Sequence, residues 1–201
     1  TSPDSTAATI IHRPADARRK VTSQVFLVAS DRASGDLDHF YVHAAGDYVL
    51  AGSAVSVTAS GVDSNYIPMD ASYDLSASAG AITEQGGRQL LVTPASGGDI
   101  TVTASGRGAK GSTVVHAIRN PDNLTLKNGA SNLTELTVTP GSKTALTAGA
   151  VWNHLPLTAT NEAFTWSVSG DIGTVDEHGV FTASAPGTGN LTVSAGDKSL
   201  T

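Results

Sequence analysis

The chain has 201 residues, room for two small domains, and a net charge of -6 with 15% charged residues. This balance argues against a nucleic-acid partner, because the basic residues cluster only at positions 13 and 18–20. The absence of cysteine excludes disulfides, thiolate metal sites and cysteine nucleophiles. No apolar run approaches the ~20 residues of a spanning helix, so we expect no membrane insertion.

In chain order, two short apolar-rich runs come first. Residues 8–11 and 21–28 are predicted to be β-strands joined by the basic loop 13–20. Because two strands alone are marginally stable, we expect residues 1–30 to be the terminal strands of a preceding domain, or a linker. There is no initiator Met or signal peptide, and we expect the chain to be a piece of a longer protein.

The remainder alternates polar and apolar residues in short runs separated by Gly, Pro, Asn or Asp. The clearest runs are residues 55–59, 100–104, 136–138 and 191–195. A period of two places one row of side chains in a core and the other in water, as antiparallel sandwiches require. No segment has helical spacing with a cap and a stop, so the sequence predicts an all-β fold.

The chain also contains an internal repeat. Four positions recur at one offset of 91 residues: Tyr73 with Phe164, Thr83 with Thr174, Leu90 with Phe181, and Ile100 with Leu191. A shared offset over four runs predicts two tandem immunoglobulin-like β-sandwich domains, at residues 31–118 and 119–201. Pro121 marks the boundary, because proline cannot donate to a β-ladder. The second copy is expected to lack most of its last strand, since residues 198–201 stop where the first copy continues through 114–116.

The second copy resembles a known family. Phe-Thr-Trp-Ser-Val at 164–168, Gly-Thr-Val-Asp-Glu-His-Gly-Val-Phe-Thr-Ala at 173–183 and Pro-Gly-Thr-Gly-Asn-Leu-Thr-Val at 186–193 are similar to the bacterial Ig-like group 2 domain. The resemblance implies a sandwich and names no ligand. It extends more loosely to the first copy, where Leu75 stands at the position of Trp166.

Residues 13–28 resemble the closing segment of phosphodiester glycosidase domains, whose bacterial members carry Ig-like modules directly afterwards. This chain has Ala15, Ala17 and Ser23 where that family has Ser, Gly and Asn. The family's Asp-Gly-Gly-Gly motif is absent, so no catalytic residue is carried over. The resemblance implies a catalytic domain upstream in the same chain.

Few residues are candidates for a site. Trp152 and His154 lie in an irregular segment where a tryptophan could stack on a sugar, although packing under a loop is the favoured interpretation. Asp63, Asn65 and Asp70 could offer oxygen atoms to calcium, but Asp and Asn also stabilise turns. His39 and His43 would lie about 13 Å apart on a strand, too far for one zinc ion. Trp166 is predicted to be the buried centre of the second sandwich.

We therefore expect no catalytic residue, no metal site and no cofactor in this chain. The leading hypothesis is a spacer or accessory pair of a secreted or cell-surface bacterial protein that follows a glycosidase-like domain. The alternative is an adhesin-type or carbohydrate-binding tandem, with glycans or cell-envelope polysaccharide as partners. The fold alone does not separate the two.

Overall fold

The computed structural model describes residues 35–84 and 89–201. The predicted strands within residues 1–30 lie outside the described residues. In the described part, the helical structure is one short 3-10 turn at Asn161–Ala163, and the rest is strand, turn or irregular. The prediction of an all-β fold with two tandem Ig-like sandwiches is confirmed.

The first module has two sheets. Its described strands are β1 (Leu37–Ala44), β2 (Tyr48–Leu50), β3 (Val55–Asp63), β4 (Pro68–Met69), β5 (Asp74–Ala77), β6 (Ala81–Glu84), β7 (Gln89–Thr93), β8 (Gly98–Gly106) and β9 (Ala109–Ile118). One sheet has the order β1-β3-β7-β6, with β4 beside β3, and the other has the order β2-β9-β8-β5. All of these pairings are antiparallel except the parallel pairing of β2 with β9.

Alternation along the strands builds the first core. In β3 the side chains of Val55, Val57 and Ala59 are buried, and in β8 those of Val102 and Ala104 are buried, while their neighbours are more exposed. These branched and small side chains interdigitate between the two sheets, which stabilises the sandwich by removing apolar surface from water.

At one edge of this sandwich β9 passes very close to β1. A Cβ built on Gly111 would lie 1.7 Å from the carbonyl oxygen of Phe40. Only a residue without a side chain fits there, so Gly111 permits the two sheets to meet.

The second module has three small sheets around a separate core. Its described strands are β10 (Asn123–Asn128), β11 (Ser131–Asn132), β12 (Lys143–Ala145), β13 (Thr147–Trp152), β14 (Leu155–Pro156), β15 (Thr165–Val168), β16 (Gly173–Val175), β17 (Val180–Ala183), β18 (Leu191–Ala195) and β19 (Lys198–Leu200). Their orders are β11-β10-β13-β14, β12-β17-β16 and β15-β18-β19. Leu146, Phe164, Phe181 and Val193 are among its buried side chains.

Two expectations for the second module are wrong. Residues 136–138 alternate as a strand would, but the structure assigns no strand there, because no neighbouring strand pairs with them. Trp166 is half-buried at the rim of the core, and the fully enclosed aromatic positions belong to Phe164 and Phe181. The indole Nε1–H of Trp166 bonds the carbonyl oxygen of Asn161 at 3.0 Å, which keeps one edge of the ring near the surface.

Candidate functional site at the junction of the modules

Strand β2 is hydrogen-bonded to both modules. One of its edges forms the parallel ladder with β9. On the other edge, the amide of Leu50 donates to the carbonyl oxygen of Thr158 at 2.9 Å, and the amide of Thr158 donates to that of Tyr48 at 2.9 Å. The sheet of the first module therefore continues by one bridge into the second.

The side chains of β2 divide between the two cores. Val49 is fully buried among the residues of the first core, whereas Leu50, 1% exposed, is buried in the second. Tyr48 is half-buried against the second core as well. Successive side chains of a strand point to opposite faces, so a strand between two modules contributes to both.

The turn that follows β2 also contacts the second module. The hydroxyl of Ser53, which is fully buried, accepts a hydrogen bond from the amide of Thr160 at 3.0 Å. Gly52 has φ +92°, and a Cβ there would lie 3.3 Å from the Cα of Ala163. A larger residue at position 52 would be strained and would press on the second module.

Trp152 lies at this junction and packs on the first module. Its ring stacks on Tyr48 with centroids 5.6 Å apart, and Tyr48 stacks on His116 at 4.9 Å. The Nδ1 atom of His116 lies 2.7 Å from a carboxylate oxygen of Asp99. Trp152 is half-buried, and the stacked ring of Tyr48 covers one of its faces.

His154 belongs to the tight turn between β13 and β14. Asn153 and His154 have φ values of 49° and 64°, as both central residues of a type I′ hairpin turn require. The amide of Asn153 donates to the carboxylate of Asp122, which ties the turn to the connection between the modules. The imidazole of His154 is exposed. Trp152 and His154 thus share one hairpin, in which Trp152 packs against Tyr48 and His154 completes the turn.

Of the three calcium candidates, Asp63 is the last residue of β3, Asn65 lies in the loop that follows, and Asp70 comes directly after β4. Asp63 is fully buried, and its Oδ1 atom accepts hydrogen bonds from the amides of Asn65 at 2.8 Å and Ile67 at 2.9 Å. Asp70 is exposed. The carboxylate of Asp63 therefore stabilises the turn, which is the alternative role that the sequence offers for Asp and Asn here.

An exposed row of rings lies on the outer face of β1, where sequence reasoning had considered only the two histidines. His39, Tyr41 and His43 occupy alternate positions of the strand, and Tyr66 contacts His39 edge-on at 5.3 Å; we call these four residues the ring row. The rings of Tyr41 and His43 are nearly parallel, with centroids 6.4 Å apart. Tyr41 is 62% exposed and Tyr66 58% exposed. The burial of Phe40 and Val42 by alternation was the signal that could have placed Tyr41 outward.

Asn161 is a hydrogen-bonding centre of the second module that sequence reasoning missed. Its side chain accepts from the amide of Ala148 at 3.0 Å and donates to the carbonyl oxygens of Leu146 at 2.8 Å and His178 at 2.6 Å. These bonds join the 3-10 turn to β13 and to the hairpin before β17. A lone asparagine gives no pattern from which this role could be predicted.

Beside this centre, His178 and Glu162 form an exposed pair. The Nδ1 atom of His178 lies 2.7 Å from Oε1 of Glu162. The hydrogen bond to Glu162 is the main reason that the pKa of His178 is raised above its ordinary value. The pKa of Glu162 is lowered, first by a bond from its own backbone amide and then by His178.

Among residues 35–84 and 89–201, no three or more His, Cys, Asp or Glu side chains are grouped so that they could hold a metal ion. In the same part of the chain, no helix has the length and apolar character needed to cross a bilayer.

Comparison with known proteins bears on the second module most directly. Residues 132–201 match the bacterial Ig-like domain (group 2). No curated protein matches the chain.

Solved structures similar to this chain include those of an S-layer protein and of two adhesins. Domains 5-6 of the S-layer protein SbsC are 16% identical, with 83% of this chain and 94% of that chain covered and a TM-score of 0.40. The Yersinia pseudotuberculosis adhesin InvE is 16% identical, with 80% and 57% covered and a TM-score of 0.33. The Escherichia coli adhesin FdeC is 20% identical, with 87% and 63% covered and a TM-score of 0.29. None of these similarities says what this chain binds.

Proposed function

We propose that this chain is a non-catalytic spacer, a pair of Ig-like modules that holds the segments on its two sides at a fixed distance within a secreted or cell-surface bacterial protein. The observation that carries the proposal is that β2 belongs to the sheet of one module and to the core of the other. A spacer keeps its length only if its joint resists bending, and β2 supplies that resistance.

The contacts of the joint are strong enough for this role. Burial of a leucine side chain contributes about 1.5–3 kcal/mol, and each of the two backbone hydrogen bonds of Thr158 adds about 1 kcal/mol. The connection between β9 and β10 is short and is bonded at both ends, by the amide of Ala51 to the carbonyl oxygen of Ile118 and by the amide of Asp122 to that of Val151. Bending at the joint would break these contacts together.

A distance measurement across the joint tests the proposal. The chain has no cysteine, so Ser60→Cys and Ser199→Cys place one spin label on an exposed strand position of each module. Pulsed electron paramagnetic resonance should give one narrow distance distribution. A broad distribution in the otherwise unchanged chain would refute the stiff spacer.

A matched pair of variants shows whether β2 is responsible. Thr158→Pro removes the amide that donates to Tyr48 and should broaden the distribution. Thr158→Val keeps that amide and nearly the same side-chain volume, and should leave it narrow. Equal distributions in the two variants would show that the stiffness arises elsewhere.

We further propose that the spacer follows a phosphodiester glycosidase-like domain. Support comes from the resemblance of residues 13–28 to the closing segment of that family. The gene sequence upstream of Thr1 tests this proposal, and a different domain there would contradict it. The spacer role does not depend on the result.

A second candidate function, binding of cell-envelope glycans, is favoured by the ring row. Exposed flat rings offer stacking surfaces to sugars, and Tyr41 and Tyr66 are the two most exposed large hydrophobic side chains of the described residues. A glycan array should then show binding that Tyr41→Ala abolishes and that Trp152→Ala retains, because Tyr48 covers one face of Trp152. If glycan binding is lost only in Trp152→Ala, the glycan site lies at the junction of the modules instead of at the ring row.

A further inference from the structure

Strand β2 lies where tension along the chain enters the first module. The chain runs through β1, then through β2 after three further residues, and it leaves the module at the end of β9. Because β2 and β9 are parallel, a pull on the two ends of the module draws these strands along their axes in opposite directions. The hydrogen bonds between β2 and β9 are then loaded together instead of one after another, so β2 is a point at which the module can resist extension.

The ladder between β2 and β9 is short for that task, since it contains three pairs of facing residues. At one end the amide of His116 donates to the carbonyl oxygen of Asp47 at 2.7 Å. At the other end the amide of Ala51 donates to the carbonyl oxygen of Ile118 at 2.9 Å. A strand of three residues that is bonded along one edge opens locally at low cost, because few contacts must break. Resistance to extension therefore needs a second support for β2.

The second module supplies that support. Along the outer edge of β2, the two hydrogen bonds with Thr158 join the strand to the backbone of the second module. Leu50 is buried in the second core, while Val49 is buried in the first. Beyond β2, the hydroxyl of Ser53 accepts a hydrogen bond from the amide of Thr160. Strand β2 is thus held on both edges and both faces, and the second module provides one edge and one face.

These contacts cannot persist while β2 slides along β9. A displacement by one residue, about 3.3 Å, moves Leu50 out of its site in the second core and breaks both bonds to Thr158. The second module cannot follow β2, because residues 119–122 join it to the end of β9, which is drawn the other way. Extension of the first module therefore requires that β2 separate from both modules in one step.

We propose that the second module anchors β2 against tension, so that the first module resists extension of the chain far better while the second module is folded than without it. The proposal rests on the proposed spacer role, because a spacer that joins two attached segments carries the tension between them. It goes beyond that role, since a joint can resist bending and still allow a module to be pulled open. The second module is then a mechanical support for the first as well as a unit of length.

Force spectroscopy on the full chain tests the proposal. The chain has no cysteine, so handles are attached through Thr1→Cys and Asn120→Cys, the latter an exposed position between the modules. At constant force, Thr158→Pro should unfold the first module about tenfold faster than Thr158→Val, because only the proline removes the amide that bonds β2. Equal unfolding rates in the two variants would overturn the proposal.

A second pair of handles gives the control. With Ser60→Cys and Asn120→Cys, the loaded segment begins after β2, so β2 itself is not pulled along its axis. Thr158→Pro and Thr158→Val should then unfold the first module at equal rates. The same tenfold difference in this arrangement would show that the proline weakens the first module as a whole, and it would contradict the anchoring of β2.

A variant in the first module tests the anchor from the other side. Ser53→Ala removes the hydroxyl that Thr160 bonds and leaves the sequence of the second module unchanged, so it serves even if Thr158→Pro prevents the second module from folding. It should speed unfolding severalfold with the first pair of handles, and a rate equal to that of the parent chain would contradict the proposal. A narrow spin-label distance distribution together with equal unfolding rates would keep the spacer and overturn the anchor. A broad distribution would overturn both.

Discussion

The division of β2 between two cores can be tested with substitutions at adjacent residues. Leu50→Ala removes a fully buried side chain from the second core and should lower the stability of the second module by about 3 kcal/mol. With a urea dependence of about 1.5 kcal/mol per M for a module of this size, the midpoint falls by about 2 M. Val49→Ala is the control, because it should cost the first module about 2 kcal/mol and leave the second nearly unchanged.

Tryptophan fluorescence reports the second module alone, since both tryptophans of the chain lie there. A Trp152→Phe background leaves Trp166, away from the junction, as the reporter. Urea titration of the two variants should then show a large shift for Leu50→Ala and a small one for Val49→Ala. The reasoning is refuted if the two shifts are equal, or if Leu50→Ala changes only the exchange protection of β8 in the first module.

Three further predictions concern Asn161, Gly111 and the pair of His178 with Glu162. Asn161→Ala leaves three backbone groups without their partner and should lower the stability of the second module by about 2–4 kcal/mol in urea titration. Asn161→Asp should cost at least as much, because its carboxylate keeps the acceptor for Ala148 but turns an oxygen toward the carbonyl oxygens of Leu146 and His178. Gly111→Ala should prevent β9 from passing the carbonyl group of Phe40, so its far-UV circular dichroism should show loss of the first module's sheet at a lower temperature. Because the pKa of His178 is raised, its contribution to stability is present below its unfolded pKa and is lost as the pH rises through its folded pKa. Because the pKa of Glu162 is lowered, its contribution is present above its unfolded pKa and is lost as the pH falls through its folded pKa. The pair therefore acts between about pH 4.3 and about pH 6.5, and Glu162→Gln should lower the pKa of His178 in an NMR titration; an unchanged value would contradict the pairing.

Much of the fold was predictable because alternation and repetition are properties of the sequence itself. Residues 100–104 and 191–195 alternate, and both are strands with their apolar side chains inward. Residues 136–138 alternate equally well and form no strand. A strand requires a partner, and whether a partner is present depends on residues far away in the chain.

The junction was not predictable from the sequence, for a related reason. The pattern around Leu50 indicates a buried position but does not say in which core it is buried. The partner of Trp152 could not be named from the sequence either, because Tyr48 is separated from it by most of the first module. Alternation with Phe40 and Val42 could have placed Tyr41 outward, but no pattern in the sequence brings Tyr66, which follows β3, beside His39.

The shared strand also bears on the order in which the chain is made. The first module is complete in sequence at Ile118, when the residues that cover Leu50 and bond the outer edge of β2 have not yet been synthesised. Until Thr158 emerges, a newly made first module presents an open strand edge beside an uncovered leucine, the combination that promotes pairing with other chains. Rapid arrival of the second module should therefore limit such pairing between chains.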